Sequence, residues 1–175
     1  MVIWITGLTA SGKTTLGKQL ENNLRLLGKQ NILRLDGDEL RKRRNFRNSH
    51  SIEDRWFNLN LIVEIVLEES INYEIIIVST VSHISNMRIH ARKQITNFHE
   101  IYLSCDPDIC EKRDFKNLYI RAKKNDLFKN EVFPGVTEPY QESKQPELIL
   151  KTDTETVDQS LNVLISYCLS KLEKK

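Results

Sequence analysis

Val2-Ile3-Trp4-Ile5-Thr6 runs directly into Gly7-Leu8-Thr9-Ala10-Ser11-Gly12-Lys13-Thr14-Thr15, and the join between the two segments points to the architecture of the whole chain. Residues 2–6 are apolar or β-branched, the composition of a buried strand. Residues 7–14 match G-x-x-x-x-G-K-[ST] at every fixed position, and they follow a strand and precede a helical pattern, as that motif requires. Two glycines are needed because the backbone must turn tightly and aim its N–H groups at phosphate oxygens, while the helix that follows adds the positive end of its dipole. Gly7, Thr9, Ala10, Ser11, Gly12, Lys13, Thr14 and Thr15 are therefore the candidate donor-phosphate residues. Lys13 is expected to bridge the β- and γ-phosphates of ATP, and the Thr14 hydroxyl to hold Mg²⁺.

Outward from this motif, short β-rich runs alternate with helical periods. Asn31 to Asp36, Glu74 to Thr80, Glu100 to Ser104 and Leu148 to Lys151 read as further strands. Leu16, Leu20, Leu24 and Leu27 fall at helical spacing, as do Trp56, Leu59, Val63 and Val66, and Val157, Leu161, Leu164, Cys168 and Leu172. Thr152 with Glu155 has capping-box spacing for the last helix, which ends in Lys171, Lys174 and Lys175. Pro134, Pro139 and Pro146, with Gly135, predict a long ordered loop. Strand and helix in alternation predict an α/β protein: a three-layer P-loop NTPase fold, its mainly parallel five-stranded sheet covered by helices on both faces. With no repeat and no linker-like composition, residues 1–175 read as one domain.

Composition narrows the function classes. Of 175 residues, 26 are Lys or Arg and 24 Asp or Glu, so the net charge of +2 argues against a nucleic-acid or membrane-surface binder driven by overall field. The longest apolar runs, Met1 to Ile5 and Ile75 to Val78, are far short of the roughly 20 residues that span a bilayer. The first charge is Lys13, after Gly7, Thr9 and Ser11 have broken the opening run, so no secretory signal is read and a cytoplasmic protein is expected. Cys105, Cys110 and Cys168 lack metal-site or disulfide spacing and read as buried thiols.

The second informative stretch is Leu35-Asp36-Gly37-Asp38, followed by Arg41. Strand ends in doubly wound sheets face the ligand crevice, so these carboxylates lie near the nucleotide, where one can assist Mg²⁺ and the other can take a proton from an acceptor hydroxyl. Asp38 also suits a helix N-cap. A GTPase switch is disfavoured, since neither an NKxD-type segment nor a strand ending in D-x-x-G occurs. In Arg41-Lys42-Arg43-Arg44, the last three read as a solvated face and Arg41, in step with Asp38, as part of an anion site.

These motifs, with Glu53-Asp54-Arg55, Asn58, Ala91-Arg92, Phe98 to Tyr102, Cys110 to Asp114, Leu118-Tyr119, Phe133, Gly135, Pro139-Tyr140 and Pro146 to Leu148, make the chain resemble the adenylylsulfate (APS) kinase family from about Val2 to Thr152. The resemblance implies ATP-dependent phosphorylation of a nucleotide's ribose 3′-hydroxyl, with APS the first acceptor to consider and Asp38 as base. It implies Asp36, Arg41, His50, Arg55, Asn58, Val81 and Ser82 on the acceptor side, Arg113 and the region to Lys124 as a lid over ATP, and a homodimer. Phe133 is the aromatic expected to stack on the acceptor base. Four positions depart from the family pattern: His50 for an aromatic, Asn60 for an arginine, His83 for a proline and Ser85 for an arginine, all read as lying on the acceptor side. About three extra residues, Glu131 and Val132 among them, stand between Lys124 and Phe133. Two further readings stay open at this point: a relative acting on a cytidine diphosphoramidate-like acceptor in capsule synthesis, and a catalytically silent nucleotide-binding module.

Overall fold

Every residue of β1 (Val2–Gly7) is buried, which demands cover on both faces of its sheet. Alternation along this strand sorts the two sides. Val2 and Trp4 join a cluster with Leu59, Val63 and Met87, whereas Ile3 and Ile5 join another with Leu16, Leu20 and Leu164. The computed structural model describes residues 1–127 and 130–173. In it β1 is the middle of five strands ordered β2 (Ile32–Asp36), β3 (Ile75–Ser79), β1, β4 (Phe98–Ser104) and β5 (Leu148–Lys151), with every pairing parallel. Helices α1 (Lys13–Leu26) and α7 (Val157–Leu172) cover one face. The other is covered by α3 (Ile52–Glu69) and α4 (Ser85–Gln94). Short helices α2 (Gly37–Leu40), α5 (Pro107–Lys112) and α6 (Leu118–Lys123) sit around the C-terminal ends of the strands. The three-layer P-loop fold is the expected one.

Local readings hold where the core decides and shift where capping does. Leu27 lies one residue beyond α1 and is half exposed, because Gly28 at φ 87° turns the chain and Lys29 N–H closes on the Leu24 carbonyl oxygen at 2.9 Å. The capping box of α7 is Thr156 with Gln159, four residues later than Thr152 with Glu155. Thr152 lies five residues before the first residue of α7, and its side chain is turned inward, where the hydroxyl donates to the Ser11 carbonyl oxygen at 3.0 Å. Lys171 does occupy the last turn, while Lys174 and Lys175 lie outside the described residues. From α6 to β5 the described chain forms only isolated bridges, as the prolines predict. All three cysteines are buried and free, and no described helix is long and apolar enough to cross a membrane.

The capping assignment makes a measurable difference. Thr156→Ala removes a side-chain cap and should cost about 1 kcal/mol, lowering the melting temperature by about 2–4 °C for a domain of this size. Glu155→Gln, which stands outside the box and keeps an acceptor for the Ser160 hydroxyl, should cost less, and a reversed order in thermal melts would contradict the placement.

Candidate active site

The turn after β1 is shaped by two glycines. Gly7 has φ 152°, and a Cβ there would meet the Leu103 carbonyl oxygen at 2.7 Å and Ser11 Oγ at 2.8 Å, so a side chain would displace either β4 or the loop. Gly12, at φ 100°, precedes α1 and offers no side-chain cap, which leaves the first N–H groups of the helix for an anion. Lys13 Nζ folds back on this loop, donating to the carbonyl oxygens of Leu8 at 2.5 Å and Gly7 at 3.1 Å. Burial pushes its pKa down to about 8 against the opposing pull of Asp38 and Asp36. Long-range bonds fix the loop from two sides: Thr152 to Ser11, and the Tyr119 hydroxyl to the Thr9 carbonyl oxygen at 3.0 Å.

The end of β2 meets the start of α1 through one short bond, from the Thr14 hydroxyl to Asp36 Oδ2 at 2.6 Å. The other Asp36 oxygen accepts from the N–H groups of Asp38 at 3.0 Å and Glu39 at 3.4 Å, so Asp36 caps α2. The capping role that the sequence left open for Asp38 therefore belongs to its neighbour. Asp38 itself is exposed and hydrogen-bonded to Lys116 Nζ at 3.0 Å. Partial burial raises its pKa, yet the Lys116 bond and the charges of Lys116, Lys13 and Arg41 outweigh it and hold the carboxyl below its ordinary value. Lys116 was not singled out in the sequence; it stands 78 residues from its partner, with no local pattern to announce it. Arg113, at the end of α5, is exposed and reaches Cys105 Sγ at 3.7 Å.

Among the residues expected on the acceptor side, Arg41, Arg55, Asn58 and Ser82 line one cavity together with His83 and Gly37. Arg55 donates to the carbonyl oxygens of His50 and Val132, each at 3.0 Å, and burial followed by the charge of Arg41 lowers its pKa to about 10. Asn58 clamps a loop: its amide accepts from the Arg47 N–H at 2.9 Å and donates to the Arg47 carbonyl oxygen at 2.8 Å. Thr6 Oγ1 donates to the Val81 carbonyl oxygen at 2.7 Å, tying the end of β3 to β1. Lys42, Arg43 and Arg44 are exposed, as a solvated face should be, whereas Arg41 is partly buried. Phe133, expected to display its ring to a base, is instead buried with that ring edge-on to Tyr119 at 4.8 Å. The apolar cluster with Leu8 and Cys110 has claimed it.

The four departures are not gathered on one side of the site. Asn60 faces α4, where its Oδ1 meets His90 Nε2 at 2.9 Å, and Ser85 bonds Gln141 Oε1 through both N–H and hydroxyl at 2.8 Å. His50 sits at the rim, its N–H on Glu131 Oε1 at 2.9 Å, and His83 alone lines the cavity. The extra residues are built into the same rim: Ser51 bridges Glu131, and the Val132 N–H donates to the His50 carbonyl oxygen at 3.2 Å.

A phosphate loop facing two strand-end carboxylates, with an arginine-lined cavity beside them, defines a P-loop kinase of small molecules. The profile of the family described as adenylylsulphate kinase matches residues 1–151. A probable adenylyl-sulfate kinase of Halalkalibacterium halodurans is 34% identical over 99% of this chain and 83% of its own length. The adenylyl-sulfate kinase of Staphylococcus epidermidis is 35% identical over 95% and 82%. The structure of the Mycobacterium tuberculosis APS kinase in complex with AMPPNP and APS superposes with a TM-score of 0.81 at 30% identity, covering 93% of this chain and 94% of that one. The chain belongs to the adenylylsulfate kinase family.

Two histidines of this site give the fold a pH signature. Burial first, then the charges of Arg41 and Arg55 at His50 and of Arg55 and Arg88 at His83, push both imidazoles from 6.5 down to about 4. The folded protein thus refuses protons that the unfolded chain accepts, so this contribution to stability is complete above about pH 6.5 and is lost as pH falls toward 4. Calorimetric melting temperatures between pH 7 and 4 should fall less steeply for His83→Gln than for the parent, by the share of one titrating group. Parallel curves would show that His83 protonates freely in the folded state.

Proposed function

We propose that residues 1–175 act as one kinase domain that transfers the γ-phosphoryl group of ATP to the ribose 3′-hydroxyl of adenylylsulfate. The observation that carries this is the position of Asp38: its N–H is held by the Asp36 carboxylate that also takes the Thr14 hydroxyl beside the phosphate loop, and it opens the short helix that ends at Arg41 of the arginine-lined cavity. Gly7, Thr9, Ala10, Ser11, Gly12 and Thr15 present the loop to the donor phosphates, and Lys13 exchanges its two carbonyl partners for phosphate oxygens. The Thr14 hydroxyl and the Asp36 carboxylate, 2.6 Å apart, are a hard-oxygen pair that fits Mg²⁺. Mg²⁺, when bound, neutralises charge on the β- and γ-phosphates.

Asp38 accepts the proton of the 3′-hydroxyl as that oxygen forms its bond to the γ-phosphorus and the bond to the β-phosphate oxygen breaks, leaving ADP. Its contact with Lys116 must open, or shift aside, for the hydroxyl to enter. Arg41 and Arg55 hold the anionic end of the acceptor, with Val81, Ser82 and His50 around it and Asn58 keeping the neighbouring loop in place. Arg113 and the segment to Lys124 close over ATP. ATP as donor implies a cytoplasmic enzyme, and the family resemblance supports a homodimer.

Asp38→Asn tests the assignment. Acceptor-dependent ADP release with APS should fall by about 10² or more in kcat, while the Kd for ATP stays within about twofold. A variant that turns over like the parent removes Asp38 from the mechanism, and a parent that releases no ADP in response to APS removes APS as acceptor. Light scattering at micromolar concentration should give twice the chain mass; a clean 20.5 kDa would refute the dimer.

A further inference from the structure

His83 is wholly buried, at 0% exposure, yet neither ring nitrogen has a hydrogen-bond partner among the described residues. A buried polar group left unpaired costs about 1–3 kcal/mol, and native proteins keep few of them. Two others line the same cavity: Arg41 Nη1 and Ser82 Oγ are also buried and unpaired. Three residues with orphaned polar groups therefore line one cavity, which Arg55 also lines, and a polar ligand held there would satisfy them.

The backbone behind His83 is tightly strapped, so its side chain is not in place by slack. Ser82 has φ 38°, a conformation costly for a residue with a Cβ. Arg88 holds it there, donating to the carbonyl oxygens of Ser82 and Gln141, each at 2.6 Å, while its Nε pairs with Glu100 at 2.9 Å in a nearly solvent-free contact. The Gln141 N–H donates in turn to the His83 carbonyl oxygen at 2.9 Å. With the main chain fixed from behind, the imidazole forms part of the cavity wall. In a cavity already lined by Arg41 and Arg55, a neutral imidazole adds a donor without adding a third positive charge.

We propose that His83 is a specificity-determining residue of the acceptor site, donating a hydrogen bond to an oxygen of the group carried on the acceptor's 5′-phosphate, next to Arg41, Arg55 and Ser82. This rests on the acceptor assignment made above and adds to it a contact that a proline at this position cannot make. A nucleotide ending at its 5′-phosphate leaves the His83 and Ser82 groups unpaired, and sites of that kind reject the shorter ligand more strongly than apolar fit alone allows.

Calorimetric titration of the protein saturated with AMPPNP, so that only the acceptor site is open, separates the possibilities. The parent should bind APS more tightly than AMP. In His83→Ala the affinity for APS should fall about tenfold or more, AMP should change by less than about twofold, and the APS-to-AMP ratio should collapse accordingly. His83→Gln, which keeps an amide donor, should retain most of the ratio. His83→Leu, which refills the cavity wall without a donor, should behave like His83→Ala and serves if the alanine variant fails to bind AMPPNP. An unchanged ratio in a variant that still binds AMPPNP sinks the role of His83 and leaves the APS assignment standing. Equal weakening of both ligands assigns His83 to structure and overturns the proposal. A parent that binds no APS overturns the acceptor assignment and the role of His83 with it.

Discussion

Both oxygens of the Asp36 carboxylate are committed, one to the Thr14 hydroxyl and the other to the N–H groups that open α2. That buried side chain joins the phosphate loop, through the first turn of α1, to the strand end from which Asp38 and Arg41 project. Without it α2 loses its cap and Thr14 its partner, so the phosphate loop and the arginine-lined cavity would drift relative to one another. Phosphoryl transfer asks chiefly for positioning, and here positioning begins with a carboxylate that need not itself take a proton.

The donor half was legible in the sequence because its chemistry is local. Eight consecutive residues carry the loop, and the strand before them and helix after them are set by periodicity that a buried sheet enforces. The strand ends were legible for the same reason. What the sequence concealed depends on contacts between distant segments. Thr152 has the spacing of a cap, but its side chain is turned to a carbonyl 141 residues away in the phosphate loop, and α7 starts later, capped by Thr156. Asp38 and Lys116 meet across 78 residues, and Phe133 is buried in the apolar cluster with Leu8 and Tyr119.

The departures from the family pattern divide along the same line. As a list they look like one altered surface, but Asn60 pairs with His90 on α4, Ser85 with Gln141, and neither lines the cavity. His50 and the extra Glu131 and Val132 belong together, since the rim around His50 is made by that segment: a carboxylate on the His50 N–H, a bridge at Ser51 and a bond from Val132. Arg55 binds the carbonyl oxygens on both sides of the seam. A substitution and an insertion that look independent in the chain are thus two sides of one joint.

Behind that rim lies the least solvated charge pair of the site, Arg88 with Glu100. A pair this dry recovers little net stability, because taking both ions out of water costs about what their attraction returns. Its consequence is directional. Glu100 also binds Arg92 and the Ser143 hydroxyl, so Arg88 is held from the β4 side while it grips the Ser82 and Gln141 carbonyl oxygens on the other. Ser82 at positive φ would relax if the guanidinium were free to swing. The sheet therefore transmits its rigidity through one ion pair to the turn that lines the arginine-walled cavity, where phosphoryl transfer would be sensitive to small errors in position.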